Sequence, residues 1–343
     1  MKINVLAIDL AKSVFQVHGF SATGERVLAK RLGRRRFGQW LQVQDRCEVV
    51  MEACGSAHYW GRWLLELGYR VRLIPPQHVR AYVVGNKTDG NDADAIYEAS
   101  QRRGLRWVPV KTVAQQDALL AHRVRERRQK ARVAVLNQIR GLLAERGLVC
   151  GQGVSALRRL VDTVLEAGAA GQVTEYFVQQ LAELRGEWRQ LEAQIGQAER
   201  AIQAHVQASP ACRRLMEVRG IGVLTASAAV ATVGQARQFR SGRQMAAWLG
   251  VTPRESSSGE RRRMGGVTKR GDPYLRTLLI HGGRATVKAS RGKDDAHSRW
   301  IQALVQRRGF NKAVVAVANK NARILWAMLA RGEHYRVPSP VAA

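Results

Sequence analysis

Residues 3–9 read Ile-Asn-Val-Leu-Ala-Ile-Asp, an apolar run that ends in an aspartate and decides how the chain begins to fold. A run of this length and composition predicts a buried strand. Two further strands are predicted at 14–20 and 26–31, with residues 21–24 (Ser-Ala-Thr-Gly) as the hairpin turn between them. Consecutive strands joined by short turns pair in an antiparallel manner, so the chain is predicted to open with an antiparallel sheet.

Helices and strands alternate after this sheet. Apolar periodicity predicts strands at 47–52 and 70–74, the second of which is closed by Pro75 and Pro76. Helices are predicted at 34–44, 56–67, 77–84 and 89–102. Three antiparallel strands followed by this alternation is the element order of a ribonuclease H-like domain. We therefore predict an α/β domain over residues 1–107.

Residues 108–207 are predicted to be helical, because proline is absent after Pro109 and Ala, Leu, Arg, Gln and Glu dominate. A long basic helix is predicted over 115–146. The second half carries an a/d heptad stripe of Phe177, Leu181, Leu184, Trp188, Leu191, Ile195, Ala198 and Ile202. This stripe suits either the seam of an oligomer or a hairpin with the 115–146 helix of the same chain, and the pattern alone does not distinguish them.

Residues 208–335 form a third predicted region. The segment 215–226 has the form of a helix-hairpin-helix, in which Gly220 and Gly222 permit a tight turn and the next helix offers free N–H groups to a phosphate. A plain turn between two apolar helices would give the same pattern. A Gly, Ser and Arg-rich loop is predicted at 253–271, followed by helices at 273–288 and 311–331. The tail, residues 336–343, is predicted to be disordered.

The charge of the chain predicts its partner. It has 343 residues with 56 Lys and Arg against 27 Asp and Glu, a formal charge of +29, which attracts nucleic acid. A basic membrane-surface helix is the alternative, but the basic residues run through the whole chain. The sequence shows no secretory signal, no apolar stretch that would span a bilayer and no Cys-x-x-Cys pair. These features predict a cytosolic protein with reduced thiols and no membrane partner.

Four carboxylates in the first third of the chain predict a metal site. Asp9 and Glu52 each end an apolar strand, and Asp89 and Asp92 lie three residues apart on one predicted helix. Residues three apart share a helix face, and a cation relieves the repulsion of two like charges there. Oxygen ligands are those that Mg²⁺ prefers. Any one acid alone is more simply a solvated or helix-starting residue, so the prediction depends on the set. Asp94 is predicted to face solvent or to act as an alternate ligand.

Three serines stand beside a basic run. A serine hydroxyl is a weak nucleophile unless a base, a metal or strong local electrostatics activates it. Nearby cations would stabilise the charge on a phosphoryl group under attack. From the residues alone, a polar loop that touches a nucleic-acid backbone is the simpler interpretation. The residues concerned are Ser256, Ser257, Ser258, Arg261, Arg262, Arg263, Lys269 and Arg270.

Motifs spread over nearly the whole chain match one family in the same order. They are residues 7–12 (Ala-Ile-Asp-Leu-Ala-Lys), 51–55 (Met-Glu-Ala-Cys-Gly), 86–93 (Asn-Lys-Thr-Asp-Gly-Asn-Asp-Ala), 248–254 (Trp-Leu-Gly-Val-Thr-Pro-Arg), 257–259 (Ser-Ser-Gly) and 268–282. The chain resembles the DEDD transposases of bacterial insertion sequences that move with a non-coding guide RNA, relatives of the Piv-type DNA invertases. It departs from them at Glu260, where a second glycine is common, and at 266–268, which reads Gly-Val-Thr instead of Gly-Ile-Ser.

The resemblance implies a RuvC-like N-terminal domain, a coiled-coil insertion and a mostly helical C-terminal transposase domain. It implies that Asp9, Glu52, Asp89 and Asp92 hold one or two Mg²⁺ ions. It also implies that a serine of the C-terminal loop forms a covalent phosphoserine link to DNA. Ser257 is the first candidate, ahead of Ser258 and then Ser256.

The resemblance also implies the partners. These are DNA at the element ends and target, and a guide RNA, in the bacterial cytoplasm at the nucleoid. An active site assembled across a homodimer or homotetramer is favoured, with the heptad stripe as the seam. A metal-dependent junction nuclease without a covalent intermediate and a non-catalytic nucleic-acid-binding protein are the alternatives. Residues predicted to contact nucleic acid are Arg123, Arg127, Arg128, Lys130, Arg219, Gly220, Gly222, Arg261, Arg262, Arg263, Lys269 and Arg270.

Overall fold

A computed structural model describes residues 2–84, 89–168, 173–259 and 261–336, except for the side chain of Asp89. The predicted tail lies outside these residues apart from Arg336. The chain divides into two compact units. The first takes the residues up to Gln115 together with Ala236–Gln244, and the second takes Gln116–Gln235 and Met245–Ala343.

The first unit is built on a five-stranded sheet with the order β3-β2-β1-β4-β5. The first three strands pair antiparallel, whereas β1, β4 and β5 run parallel. The parallel pairs follow from the helical connections, since parallel strands require a crossover. The strands are β1 (Val5–Leu10), β2 (Val14–Phe20), β3 (Arg26–Gly33), β4 (Glu48–Glu52) and β5 (Arg70–Ile74).

Helices cover both faces of this sheet. On one face Leu6, Ile8 and Leu10 share a core with residues of α1 (Arg34–Val43) and α2 (Ala57–Glu66). On the other face, Ala7 and Val50 share a second core with residues of α4 (Asp89–Gln101). A short helix, α3 (Pro76–Val79), and a 3₁₀ turn (Arg80–Tyr82) precede α4. Successive strand residues point to opposite faces, so the odd-numbered residues of β1 and the even-numbered residues of β4 face α4.

Three helices form the first part of the second region: α5 (Val113–Ala144), α6 (Val154–Ala167) and α7 (Glu175–Ala208). The heptad stripe of α7 is buried within the chain. Phe177, Leu181 and Trp188 pack with Ile139 and Leu143 of α5 and with residues of α6. The stripe therefore packs within its own chain. The prediction that it forms the seam of an oligomer is wrong, because other helices of the same chain already cover these side chains.

The remaining elements are mostly helical. The last three helices share a hydrophobic cluster. Val314 and Val317 of the last helix are buried there with Val287 and Ile301 of the two helices before it. The elements are α8 (Pro210–Leu215), α9 (Val223–Val233), α10 (Gly242–Leu249), β6 (Pro253–Glu255), β7 (Met264–Val267), α11 (Pro273–Ala289), α12 (Ala296–Arg308) and α13 (Phe310–Arg331).

The mixed α/β fold with a helical C-terminal region is confirmed. The predicted strands, and most of the predicted helices, have ends within two residues of the observed ones. The loop predicted at 253–271 is wrong, because it contains the hairpin β6-β7, whose exposed polar strands lack the apolar alternation that marks a half-buried strand. No helix among the described residues is both long and apolar enough to cross a membrane.

Candidate active site

Asp9 and Glu52 lie at the same edge of the sheet of the first unit. The parallel register of β1 and β4 pairs Ile8 with Met51, and the two carboxylate residues come next on their respective strands. Neighbouring strands are about 4.8 Å apart, so the backbones of these two residues are adjacent. The alternation that buries Ala7 and Val50 beneath α4 turns Asp9 and Glu52, two residues further on, to the same face. Both side chains are half-buried.

The helix α4 presents Asp92 to this face. Ala95 and Ile96, three and four residues later, are buried against the sheet. Residues at these spacings lie on one side of a helix, so Asp92 is on the sheet-facing side, where it is half-buried. Asp89 is the first residue of α4, and its predicted role falls on a side chain outside the described residues.

The pKa of the Cys54 thiol is affected by both carboxylates at this edge. Burial, and then the negative charges of Glu52 and Asp9, raise the pKa of Cys54 to about 11. Its Sγ lies 3.8 Å from the carbonyl oxygen of Leu10. Because both carboxylates act on one thiol, Asp9 and Glu52 share a neighbourhood as well as a sheet edge.

The donor set fits a hard divalent ion, since carboxylate oxygens are the ligands that Mg²⁺ and Ca²⁺ prefer. Among the described side chains, however, no three of Asp, Glu, His and Cys are grouped closely enough to hold a metal. The fold thus brings Asp9 and Glu52 together and turns Asp92 to the same face, without a closed ligand cluster.

The Asp94 side chain, predicted to face solvent or to act as an alternate ligand, is 36% exposed and takes part in a polar network with β2 and β3. Its Oδ1 lies 2.6 Å from Nδ1 of His18, and its Oδ2 accepts from Arg26 at 2.8 Å. Nε2 of Gln16 lies 2.9 Å from Nε2 of His18. This network ties α4 to β2 and β3.

Gln16 lies in a row of directly opposed residues on β1, β2 and β3, which the sequence did not predict. The strand register places Asp9 opposite Gln16, and Gln16 opposite Arg31. Directly opposed residues share a face, so the row runs across three strands on the carboxylate side. A signal was present, because Gln16 and His18 are polar residues at alternate positions of a strand that is otherwise largely apolar.

The three candidate serines lie in the second unit, on the extension of the hairpin β6-β7. The backbone N–H of Ser256 donates to the carbonyl of Arg263 at 3.0 Å, and Ser258 forms a bridge with Arg261. Gly259 begins the turn with a φ of +55°, in the left-handed region that favours glycine. Glu260 lies outside the described residues.

Ser257 differs from its two neighbours in its hydroxyl contacts. Its Oγ donates to Oε1 of Glu255 at 3.0 Å and accepts from the backbone N–H of Arg263 at 3.3 Å. The same Glu255 oxygen accepts from Nε of Arg262 at 3.2 Å. Of the predicted basic residues here, Arg262 is therefore engaged, and Arg261 and Arg263 have exposed side chains.

At the base of the hairpin, the segment around Gly250 and the segment around Gly271 pack backbone against backbone. Gly250 and Gly271 both have a φ of +74°, and a Cβ at Gly271 would overlap the carbonyl oxygen of Trp248. The guanidinium of Arg276 donates to the carbonyls of Leu249 at 3.1 Å and of Arg270 at 2.7 Å. The predicted Lys269 and Arg270 lie at this base with exposed side chains.

The predicted nucleic-acid contacts on α5 fall into two groups. Arg127 is exposed, and Lys130 is exposed beside Glu126. Arg123 pairs with Glu126 and lies near Asp272, while Arg128 donates to the carbonyl of Gln194 on α7 at 2.9 Å. Arg128 therefore connects α5 to α7, whereas Arg123 is exposed and forms ion pairs at the surface.

The predicted helix-hairpin-helix turn joins α8 to α9. Gly220 has a φ of +86°, and a Cβ there would lie 2.7 Å from the carbonyl oxygen of Gly282, so close packing on α11 already requires this glycine. Gly222 precedes α9 in open space. Arg219 is held by Asp295 at 2.9 Å.

Two family models of known proteins match segments of this chain. The family model DEDD_Tnp_IS110, described as Transposase, matches residues 6–146, which include the carboxylate edge. The model of the Transposase IS116/IS110/IS902 family matches residues 212–299, which include the serine hairpin.

Similar proteins cover almost the whole chain. A probable family 20 transposase of Pseudomonas aeruginosa is 50% identical, over 98% of this chain and 99% of that protein. The transposase for insertion sequence element IS1111A of Coxiella burnetii is 41% identical, over 97% and 92%. The transposase for insertion sequence element IS1328 of Yersinia enterocolitica is 34% identical, over 96% and 98%. The chain therefore belongs to the IS110 family of DEDD transposases.

Proposed function

We propose that this transposase is a Mg²⁺-dependent DNA recombinase that cuts and rejoins strands through a serine nucleophile. The observation that carries the proposal is the position of Asp9 and Glu52 at adjacent ends of parallel strands, on the face that α4 covers with Asp92. Carboxylates converging at one edge are what phosphoryl-transfer sites use to hold divalent ions.

The first unit is proposed to be a ribonuclease H-like, RuvC-like domain. Its strand order, with three antiparallel strands followed by two parallel ones and helices on both faces, supports this assignment. The arrangement places the ends of β1 and β4 side by side, which a continuous antiparallel meander would not do.

Asp9, Glu52 and Asp92, with Asp89, would hold one or two Mg²⁺ ions. When bound, Mg²⁺ orients a scissile phosphate and offsets its developing charge. The hydroxyl of Ser257 attacks that phosphate and keeps the broken strand attached to the protein. A strand hydroxyl from another DNA end then reverses the linkage. The bond energy is stored covalently, which agrees with a sequence that has no Gly-x-x-x-x-Gly-Lys-Ser/Thr motif for a nucleotide.

The proposed partners are DNA and a non-coding guide RNA, in the bacterial cytoplasm at the nucleoid. The formal charge of +29 supports nucleic acid as a partner. Target choice by RNA pairing leaves the protein to bind backbones, for which the exposed Arg127, Lys130, Arg261 and Arg263 are suited. A homodimer or homotetramer would have to form through surfaces other than the buried stripe of α7.

A trapping experiment tests the nucleophile. Labelled DNA carrying an element end is incubated with the protein, RNA and Mg²⁺ and then denatured, and covalent protein–DNA species are counted. We expect a species with the wild type and none with Ser257→Ala. Its loss in Ser258→Ala but not in Ser257→Ala would move the nucleophile to Ser258. Strand cleavage without any covalent species would favour the water-dependent junction nuclease.

A second experiment separates the enzyme from a binding protein and tests the guide. Normal transposition by Asp9→Asn would contradict the metal site. Ribonuclease treatment is expected to abolish target choice and to spare weak DNA binding. Unchanged target choice after complete removal of RNA would contradict the guide.

A further inference from the structure

The three serines of the hairpin lie on two opposite faces of its strand. Successive residues of an extended strand point to opposite sides, so Glu255 and Ser257 share one side, and Ser256 and Ser258 share the other. The pairing of Ser256 with Arg263 and of Ser258 with Arg261 keeps this alternation up to the turn. Only the Glu255 side therefore offers a carboxylate to a serine along this described strand.

The hydroxyl of Ser257 is oriented from two directions. The N–H of Arg263 donates to Oγ at 3.3 Å, so one lone pair is occupied. The hydroxyl proton then points to Oε1 of Glu255, 3.0 Å away. A nucleophile within hydrogen-bonding distance of a base is the arrangement that activates a serine.

A third group holds the base. Nε of Arg262 donates to the same Glu255 oxygen at 3.2 Å. This contact orients the carboxylate at the surface, where the Arg262 side chain is 73% exposed and the Glu255 side chain 48% exposed. The order nucleophile, base and orienting group is that of a catalytic triad, built here on one β-hairpin and without a histidine.

We propose that Glu255 is the general base that takes the proton of Ser257 as its hydroxyl attacks the DNA phosphate. This role rests on the proposed serine mechanism. The Oγ–H bond breaks as the Oγ–P bond forms, and the proton passes to the carboxylate of Glu255. The P–O bond to the departing strand then breaks, and that oxygen receives the proton from Glu255 and leaves as a hydroxyl. One phosphodiester linkage is exchanged for another, without an oxidant, reductant or nucleotide.

The test is the single-turnover rate of covalent complex formation between pH 3.5 and 9, a range that includes the ordinary titration range of a glutamate, with the full-length protein, RNA and Mg²⁺. Loss of a general base costs roughly 10²- to 10⁴-fold, so Glu255→Gln should slow the reaction by that factor and remove the acid limb of its pH profile. Glu255→Asp should retain an acid limb, because it keeps a carboxylate. Glu145→Gln, at an exposed glutamate in the turn that follows α5, is the matched control and should react like the wild type.

Distinct outcomes separate this inference from the proposed function. A Glu255→Gln protein with the wild-type rate and profile overturns the base, while absence of the complex in Ser257→Ala preserves the serine mechanism. A slow Glu255→Gln protein that keeps the wild-type acid limb also overturns it, because a merely structural role lowers the rate equally at each pH. Covalent complex formation by Ser257→Ala contradicts the serine assignment itself. DNA binding and thermal unfolding of each variant establish that the hairpin is folded.

Discussion

Nδ1 of His18 on β2 lies 2.6 Å from Oδ1 of Asp94 on α4, and this contact joins the helix that carries Asp92 to the strand beside Asp9. The His18 side chain is 3% exposed and the Asp94 side chain 36% exposed, so the hydrogen bond is shielded from water on the His18 side. A shielded bond to a charged group fixes geometry more firmly than a surface one. The spacing between Asp92 and the sheet edge therefore depends on a residue that is not itself a candidate ligand.

His18→Ala is expected to destabilise the protein and to slow strand cleavage. Breaking a buried hydrogen bond to a charged group costs about 1.5–3 kcal/mol of unfolding free energy. Urea unfolding and a cleavage assay measure the two effects. Arg26→Ala is the control, because its exposed ion pair with Asp94 contributes about 1 kcal/mol at most. A His18→Ala protein as stable as the wild type would contradict the proposed role of this bond.

Asp9→Asn and Glu52→Gln are each expected to reduce cleavage at least about 100-fold while leaving the fold intact, because a ligand charge is lost. Mg²⁺ titration calorimetry and urea unfolding check both statements. Glu25→Gln, at an exposed position, serves as the control. Loss of cleavage that is accompanied by unfolding would assign these residues to stability instead.

His122 is expected to make the protein lose stability in mild acid. Burial, with a contribution from nearby Arg125, lowers the pKa of His122 to about 4, against 6.5 for the free side chain. Between these values the unfolded chain binds a proton that the folded chain does not, so stability falls as the pH falls from 6.5 to 4. Above pH 6.5 the group is neutral in both states and has no effect on the slope.

Urea unfolding at pH 7.5, 5.5 and 4.5 measures this loss. In His122→Gln, which has no titratable side chain, the decline should be shallower than in the wild type. His281→Gln, at an exposed residue of α11, is the control and should leave the slope unchanged. Equal slopes for His122→Gln and the wild type would show that other groups cause the acid sensitivity.

Gly271→Ala is expected to disrupt the base of the serine hairpin. The new Cβ would overlap the carbonyl of Trp248, and the φ of +74° is itself unfavourable for alanine. Left-handed backbone alone costs on the order of 1–2 kcal/mol, and the overlap adds to it. Gly266→Ala, where nothing lies within 4 Å, should be close to neutral. Thermal unfolding compares the two, and equal melting temperatures would contradict this close packing.

Arg127→Ala and Arg128→Ala should separate binding from packing on α5. Arg127 is exposed, so its removal should lower the slope of log affinity against log salt by about 1 without changing stability. Arg128 donates to the carbonyl of Gln194, so its removal should lower the unfolding free energy by about 1–3 kcal/mol. Fluorescence anisotropy with DNA at several salt concentrations and urea unfolding measure the pair. Identical behaviour of the two variants would refute the distinction.

Local pattern was sufficient for the elements and for part of the site. The apolar runs before Asp9 and Glu52 predicted two strands, and the motifs around them predicted the family, because both signals are contained in short segments. The stripe of α7 predicted burial correctly but not what covers it, since a helix packed on its own chain and one packed on a partner need the same residues. The hairpin β6-β7 was missed because its polar strands carry no periodic apolar signal.

Charge, most helix and strand positions and family membership were determined by the sequence alone, since each depends on residue type and spacing. The tertiary structure decided which residues meet. Asp94 contacts His18 across 76 positions of the chain, and Ser257 meets Glu255 because a hairpin sets their common face. Such contacts depend on strand order, helix docking and the side to which each residue is turned, and these are fixed only when distant segments pack together.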